Sequence, residues 1–333
     1  VIERVLGQGG MGLVLQARHA QLGQPVAIKV IRPGAGVDAE SNARFLREAW
    51  AAATLNSEHI VRVSDVGVLP SGAPFMVMEY IEGQDLARLA AARGPLPWGE
   101  AIGYVLEACV GLAEAHARGI VHRDLKPSNL FLAQQSGTVR LKVLDFGIAK
   151  APVARSAVTA GHDVPSSSGG ALALTGAVGL LGTPYYMAPE QFRSARDVDG
   201  RADVWALGVI LHELLAGALP FPGRTLDEVL AAMAAGAPDV RRGRPDVPAG
   251  VAQVIQACLQ PDLSRRVPTV GRLAAALAPF VPASAALAER AARVLGEPAV
   301  GPVHDGGEGD VGHADGGPAA SDAGGDVDAR SDG

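Results

Sequence analysis

The hydrophobic period of this chain changes once, near Gly83, and that change limits the fold more than any other feature. Upstream, apolar residues come in short alternating runs that predict strands over 2–6, 13–17, Pro25–Ile31, 60–68 and 74–80. One helix interrupts them, over 38–55, with Phe45, Ala49, Ala52 and Leu55 on a single face. Downstream, the spacing predicts helices over 100–118, 203–216 and 251–259, with Gly119 placed to stop the first of these. A small sheet-rich part followed by a larger helical part gives an α+β, two-lobed architecture. Its expected limits are about 1–80 for the small lobe and 81–282 for the large one, and no internal repeat is present.

Two stretches fall outside this pattern. Residues 151–181 are rich in Ser, Gly and Ala and contain no aromatic residue. A loop of that length inside a compact domain is either functional or disordered. Residues 283–295 read as one more Ala-rich helix. Residues 296–333 then carry nine acidic groups and one basic group, so −8 of the chain's net −6 resides there and the preceding 295 residues sum to +2. With eleven glycines and no aromatic residue, this acidic end is expected to be a disordered tail. The near-neutral body argues against a dedicated nucleic-acid surface.

Other classes are excluded by count. Cys109 and Cys258 are too few for a disulfide scaffold or a four-thiolate zinc site, and they suit a reducing cytoplasm. No run of 18 apolar residues predicts a membrane span. The chain opens on Val1, not Met, which points to a piece of a longer protein.

The polar motifs carry the chemistry. Gly7-Gln8-Gly9-Gly10-Met11-Gly12 has the spacing G-x-G-x-x-G. In dinucleotide folds a helix follows such glycines. Here a strand-like run follows, so the turn joins two strands and brings backbone N–H groups within reach of phosphate oxygens. Lys29, in Val26-Ala27-Ile28-Lys29, reads alone either as a surface lysine or as a cation awaiting an anion. Glu48 reads alone as an exposed helix carboxylate. Much more specific are His122-Arg123-Asp124-Leu125-Lys126-Pro127-Ser128-Asn129, Asp145-Phe146-Gly147 and Ala188-Pro189-Glu190.

In this order and spacing the motifs resemble those of a protein kinase, whose signature set is a known template. Gly9-Gly10-Met11-Gly12 and Pro189-Glu190-Gln191 are similar to the eukaryotic-like Ser/Thr kinases of bacteria. The resemblance covers residues 1–282. It implies ATP-dependent transfer of a phosphoryl group to Ser or Thr hydroxyls of protein substrates, with ATP and Mg²⁺ bound, and autophosphorylation as an expected property.

Site roles follow from the resemblance. Gly7, Gly9 and Gly12 would cover the phosphates, and Lys29 would contact them while ion-paired to Glu48. Leu6, Val14, Ala27 and Phe131 would enclose the adenine. Met78 would precede the connecting segment, in which Glu79 and Ile81 would present backbone groups to the adenine edge. Asp145 and Asn129 would hold Mg²⁺. Asp124 would accept the hydroxyl proton and Lys126 would touch the γ-phosphate. Asp203, with the His122–Arg123 backbone, and Glu190, with Arg266, would be structural pairs, and His116 and His122 packed core histidines. Arg123, Thr175 and Thr183 would be regulatory, with Thr175 the expected phosphorylation site of the long loop. Lys126 and Gly182-Thr183-Pro184 favour Ser/Thr over Tyr. A binding module without transfer would have lost Lys29, Asp124 or Asp145, and all three are present. A small-molecule phosphotransferase of similar fold is the third reading, against which Ala188-Pro189-Glu190 counts.

Overall fold

The computed structural model describes residues 1–9, 12–31, 39–135, 137–146, 184–193 and 198–298. The region from 1 to 79 forms one antiparallel sheet of five strands in the order β1-β2-β3-β5-β4. These are β1 (Ile2–Gly9), β2 (Gly12–Arg18), β3 (Pro25–Ile31), β4 (Val63–Val68) and β5 (Pro74–Glu79). Helix α1 (Ala39–Ala53) runs between β3 and β4, and Phe45, Ala49 and Ala52 from its apolar face are buried. Alternation along β5 buries Met76 and Met78, with the residues between them half-buried, as a strand with one face on a core requires. In register, Lys29 lies opposite Val14 on one side and Met76 on the other, which seats a charged side chain in the middle of the sheet.

Gly12 shows why β2 and β3 can close so tightly. A Cβ built there would lie 2.2 Å from the Val30 carbonyl oxygen. No side chain fits, so this glycine is required by the sheet itself.

The second part is helical: α2 (Leu86–Arg93), α3 (Trp98–Ala117), α4 (Arg201–Ala216), α5 (Leu226–Ala235), α6 (Ala249–Cys258), α7 (Val270–Leu277) and α8 (Ala285–Val294). Helices α3 and α4 are apolar on nearly every face, and a helix of that kind must lie inside. Ile102, Leu106, Leu112, Trp205 and Leu207 are fully buried there. Trp205 stacks on Phe221 with ring centroids 5.3 Å apart, and the Arg266 guanidinium lies 5.0 Å from the Trp205 ring centroid. Cys109 and Cys258 are both buried, and burial pushes the Cys258 thiol up to about 12.

The structure departs from the sequence reading in three places. A second, three-stranded antiparallel sheet, β6 (Gly83–Asp85), β7 (Leu130–Gln135) and β8 (Thr138–Val143), lies within the helical part. Leu130–Gln135 follows directly on the polar motif and does not alternate, whereas in Thr138–Val143 the residues Val139, Leu141 and Val143 do alternate with polar ones, a strand signal that the sequence reading passed over. The strand expected over 60–68 begins only at Val63, because Ile60 leaves the first sheet and makes a parallel bridge to Val143 of β8. Glu297, placed in the tail by composition, accepts a 2.5 Å hydrogen bond from the Thr269 hydroxyl that caps α7. The loop 151–181 and residues 299–333 lie outside the described residues.

A buried ion pair joins the segment Pro189–Phe192 to the helices beneath it. Arg266 Nη1 and Nη2 lie 2.6 and 3.0 Å from the two Glu190 oxygens, and Arg266 also donates to the carbonyls of Gln260 and Arg201. Removing one partner of such a pair strands the other charge, at a cost of ~3–5 kcal/mol, whereas replacing both with apolar groups is far milder. Accordingly, Arg266→Met should lower the urea midpoint sharply, and Arg266→Met with Glu190→Leu should recover most of the loss. Equal midpoints for the single and double variants would contradict this reading of the pair.

Candidate active site

A cleft of about 530 Å³ opens where the first sheet meets the β6–β8 sheet. Its lining includes Leu6, Gly7, Val14 and Ala27 from the first sheet and Met78, Glu79 and Ile81 from the end of β5 and the connecting segment. Phe131 and Asp145 also line it, so nine of the residues singled out from sequence share one cavity. A Cβ on Gly7 would meet nothing within 4 Å, which leaves room over the cleft. Gly9 pairs with Gly12 at the end of the β1–β2 hairpin, whose turn residues 10 and 11 lie outside the described residues. Arg4, Asp85, Arg88 and Leu144 line the cleft too, and no motif had marked them; Ser128, inside the 122–129 motif but given no role, lines it as well.

Charge is concentrated at one end. Lys29 Nζ lies 2.7 Å from Asp145 Oδ1, with the lysine side chain only 13% exposed. Burial would push the Asp145 carboxyl up, but the charge and hydrogen bond of Lys29, helped by the charge of Lys126, hold it below the ordinary carboxylate value. The expected partner of Lys29, the Glu48 side chain, lies outside the described residues. Asp145 has φ 52°, in the left-handed region where a side chain is strained, and so does Arg123 with φ 63°.

The segment 122–129 supplies the remaining polar groups. Lys126 Nζ is 3.4 Å from Asp124 Oδ2. Buried Asn129 donates from Nδ2 to the Asp124 carbonyl at 2.8 Å, which assigns its amide orientation and leaves the amide oxygen as an acceptor. Asp124, Lys126 and Asn129 therefore form one hydrogen-bonded unit.

Two side chains fix that unit to the fold. Asp203, in the first turn of α4, is fully buried; Oδ2 accepts from the His122 N–H and Oδ1 from the Arg123 N–H, each at 2.9 Å. His116 Nε2 adds a 2.8 Å contact to Oδ2, so His116 is a ligand of this carboxylate as well as a packed residue. Burial would push Asp203 up, but the His116 hydrogen bond and charge, with His122, hold it below 3.8. The His122 ring is the second tie. Its Nε2 lies 2.8 Å from the Leu144 carbonyl and its Nδ1 3.2 Å from the Asp124 N–H. A carbonyl requires a donor and an N–H requires an acceptor, so the proton sits on Nε2. One ring thus couples the 122–129 segment to the residue before Asp145. Gln191 completes the frame by donating to the Arg123 carbonyl at 2.8 Å, and the Arg123 side chain reaches the Val198 carbonyl at 3.4 Å. Thr175 and Thr183 lie outside the described residues.

One polar link had no sequence signal. Lys142 on β8 is buried, and its Nζ lies 2.7 Å from Glu79 Oε1, which also accepts the Arg62 N–H. Lys142 is the register partner of Phe131. The carboxylate of Glu79 therefore ties the connecting segment to the sheet below the cleft, a role apart from the backbone one expected of it.

Sequence comparison agrees with this geometry. Residues 1–276 match the protein kinase domain family, and the chain belongs to that family. It is 40% identical over 221 residues to the serine/threonine-protein kinase Pkn3 of Myxococcus xanthus, covering 66% of this chain and 38% of that protein. It is 40% identical over 222 residues to the serine/threonine-protein kinase PknB of Mycobacterium tuberculosis, covering 66% of this chain and 32% of that protein. The chain thus spans about a third of these relatives' length. Among solved structures, the Mycobacterium tuberculosis PknI kinase domain superposes with a TM-score of 0.64 at 31% identity, covering 83% of this chain and 94% of that one. Rad53 1-466 in complex with AMP-PNP gives 0.63 at 26%, covering 84% and 64%.

Asp203 generates a pH-dependent expectation. A carboxylate held below its unfolded value stabilises the fold above that value, and the contribution is lost as pH falls through the folded value. In Asp203→Asn only one oxygen remains for two backbone N–H groups. The variant should have a clearly lower thermal midpoint than wild type at pH 7, and the gap should narrow as pH falls below about 4. A gap that is constant across a pH series of melting curves would contradict the assignment.

Proposed function

We propose that this chain is the catalytic domain of an ATP-dependent serine/threonine protein kinase acting in the cytoplasm in bacterial signalling, with autophosphorylation among its reactions. The observation that carries the reading is the junction formed by His122, which holds the Asp124–Lys126–Asn129 unit beside the Lys29–Asp145 pair at the charged end of the cleft. The names of the relatives and the AMP-PNP complex of a similar fold support it.

The site's own chemistry suits Mg²⁺. Asp145 is held as a carboxylate, and Asn129 keeps an amide oxygen uncommitted, so two hard oxygen donors stand near Lys29. The ion, when bound, neutralises charge on the phosphate oxygens. Leu6, Val14, Ala27 and Phe131 enclose the adenine, and Met78 borders it. The backbones of Glu79 and Ile81 hydrogen-bond its edge. Gly7, Gly9 and Gly12 shape the hairpin over the phosphates. Lys29 contacts them, oriented by Glu48. Asp124 orients the substrate hydroxyl and accepts its proton as the oxygen attacks the γ-phosphorus. The bond from that phosphorus to the β-bridging oxygen breaks, ADP leaves with the electron pair, and Lys126 faces the charge on the transferred group. We propose further that Arg123 receives a loop phosphate at Thr175, with Thr183 near Asp124 and Lys126.

The test is turnover with labelled ATP, Mg²⁺ and a generic protein, followed by identification of the phosphoamino acid. Asp124→Ala should lose roughly 10²–10⁴-fold in kcat, with ATP affinity by calorimetry close to wild type. Phosphotyrosine as the product, or full turnover in folded Asp124→Ala, would sink the reading.

A further inference from the structure

An open groove of about 640 Å³ lies apart from the cleft and shares no lining residue with it. One wall is the turn Val240–Arg242, the other is α6, and Arg265 closes one end. Three arginines line it, Arg241, Arg242 and Arg265, and all three are exposed. None of them makes a salt bridge among the described residues. Arg18, Arg93, Arg118, Arg201, Arg244 and Arg266 each hold a carboxylate within 3.0 Å, whereas Arg62, Arg224 and Arg293, like the three in the groove, make no salt bridge among the described residues but stand apart from one another. Asp239, the one carboxylate lining the groove, accepts the backbone N–H of Arg241 at the N-terminus of its turn, and with Asp262 beside Arg265 the three arginines outnumber the neighbouring carboxylates by one.

The walls are built and held. Gln256 donates from Nε2 to the carbonyls of Ala237 and Pro238, at 2.9 and 3.1 Å, which stitches the segment before the turn to α6. Gln253, about one helical turn earlier on the same face, makes no side-chain hydrogen bond among the described residues and offers its amide to a passing backbone. The volume falls within the range of sites that hold small ligands, and an extended segment of a few residues is of that size.

We propose that this groove docks an acidic, extended segment of a protein substrate, away from the hydroxyl that is phosphorylated. Guanidinium forks match carboxylates in two-bond geometry. Only three arginines contribute, and Asp239 and Asp262 flank them, which is too little and too mixed a field for a nucleic-acid backbone. Position in the fold assigns the partner to substrates. Arg265 lies in the groove while its neighbour Arg266 holds Glu190, inside the segment that frames Asp124 through Gln191. An occupant of the groove thus sits one residue in sequence from the brace of the segment Pro189–Phe192.

Two measurements on the full chain test this; the second rests on the kinase reading and the first does not. In the first, a fluorescein-labelled peptide of alternating Glu and Ala is titrated by anisotropy, beside a peptide of alternating Gln and Ala. Wild type should bind the acidic peptide at least ~tenfold more tightly, with affinity falling as salt rises from about 50 to about 300 mM. Arg241→Glu/Arg242→Glu/Arg265→Glu should lose that preference while keeping the wild-type thermal midpoint. In the second, the triple variant should raise KM for a Ser/Thr substrate carrying an acidic extension by ~tenfold, leaving kcat, KM for ATP and turnover of the same substrate without the extension unchanged. Equal binding of both peptides by wild type, or an acidic-peptide affinity the triple variant does not alter, overturns the proposal. So does loss of binding in the variant to anionic phosphatidylglycerol vesicles but not to the peptide.

Discussion

The buried carboxylate of Asp203 is the point on which the polar architecture depends. A charge with no exposure is tolerated only if its lone pairs are filled, and here two backbone N–H groups and an imidazole fill them. Its place in the first turn of α4 adds the favourable end of a helix that is itself buried nearly all round. Holding two successive N–H groups fixes the backbone at His122 and Arg123, and Arg123 adopts a left-handed φ of 63° that an unrestrained chain would avoid. From that fixed backbone hang Asp124, Lys126 and Asn129. Their geometry is therefore set by a residue some 80 positions later in sequence.

A second buried charge does similar work across the cleft. Lys142 reaches from β8 to Glu79, so the strand that lies opposite Phe131 also holds the connecting segment. Besides the Lys29–Asp145 pair, the two surfaces that face each other across the cleft are thus joined by an ion pair whose lysine is almost wholly shielded from water. Such a pair is specified by its geometry, because the shielded lysine has no other anion within reach among the described residues, while Glu79 also keeps the Arg62 N–H and some water.

Much of this was legible in sequence, and the reason differs by level. Residues whose chemistry is local, such as Asp124-Leu125-Lys126 and Asp145-Phe146-Gly147, are written as contiguous motifs and could be placed by resemblance. The strand Pro25–Ile31 and the helix around Phe45 and Ala49 followed from period alone. The ties between distant segments were not legible in the same way. Nothing in His116, Lys142, Glu79 or Arg62 announces a partner, since each looks like an ordinary helix, strand or loop residue until the fold brings the other half close. Ile60 failed for a related reason: its apolar run continues into β4, but its backbone pairs with β8. Gly12 had been read through phosphate approach, and the structure adds a contact inside the sheet, against the Val30 carbonyl, that demands glycine there on its own.

The hydrogen bonds of His122 set a limit on variation at that position. Its site presents a carbonyl on one side and an N–H on the other, across the width of a flat five-membered ring that also packs against Phe146 with centroids 5.0 Å apart. Few side chains carry a donor and an acceptor on opposite edges of a rigid plane that small. An amide has both, but on the end of a rotatable stem; an aromatic ring fills the plane but leaves both backbone groups without partners. A substitution there would loosen two segments of the chain at once. His122 thus acts on the cleft from outside it: the ring is buried and absent from the cleft lining, yet the positions of two chain segments that meet there pass through its two nitrogens.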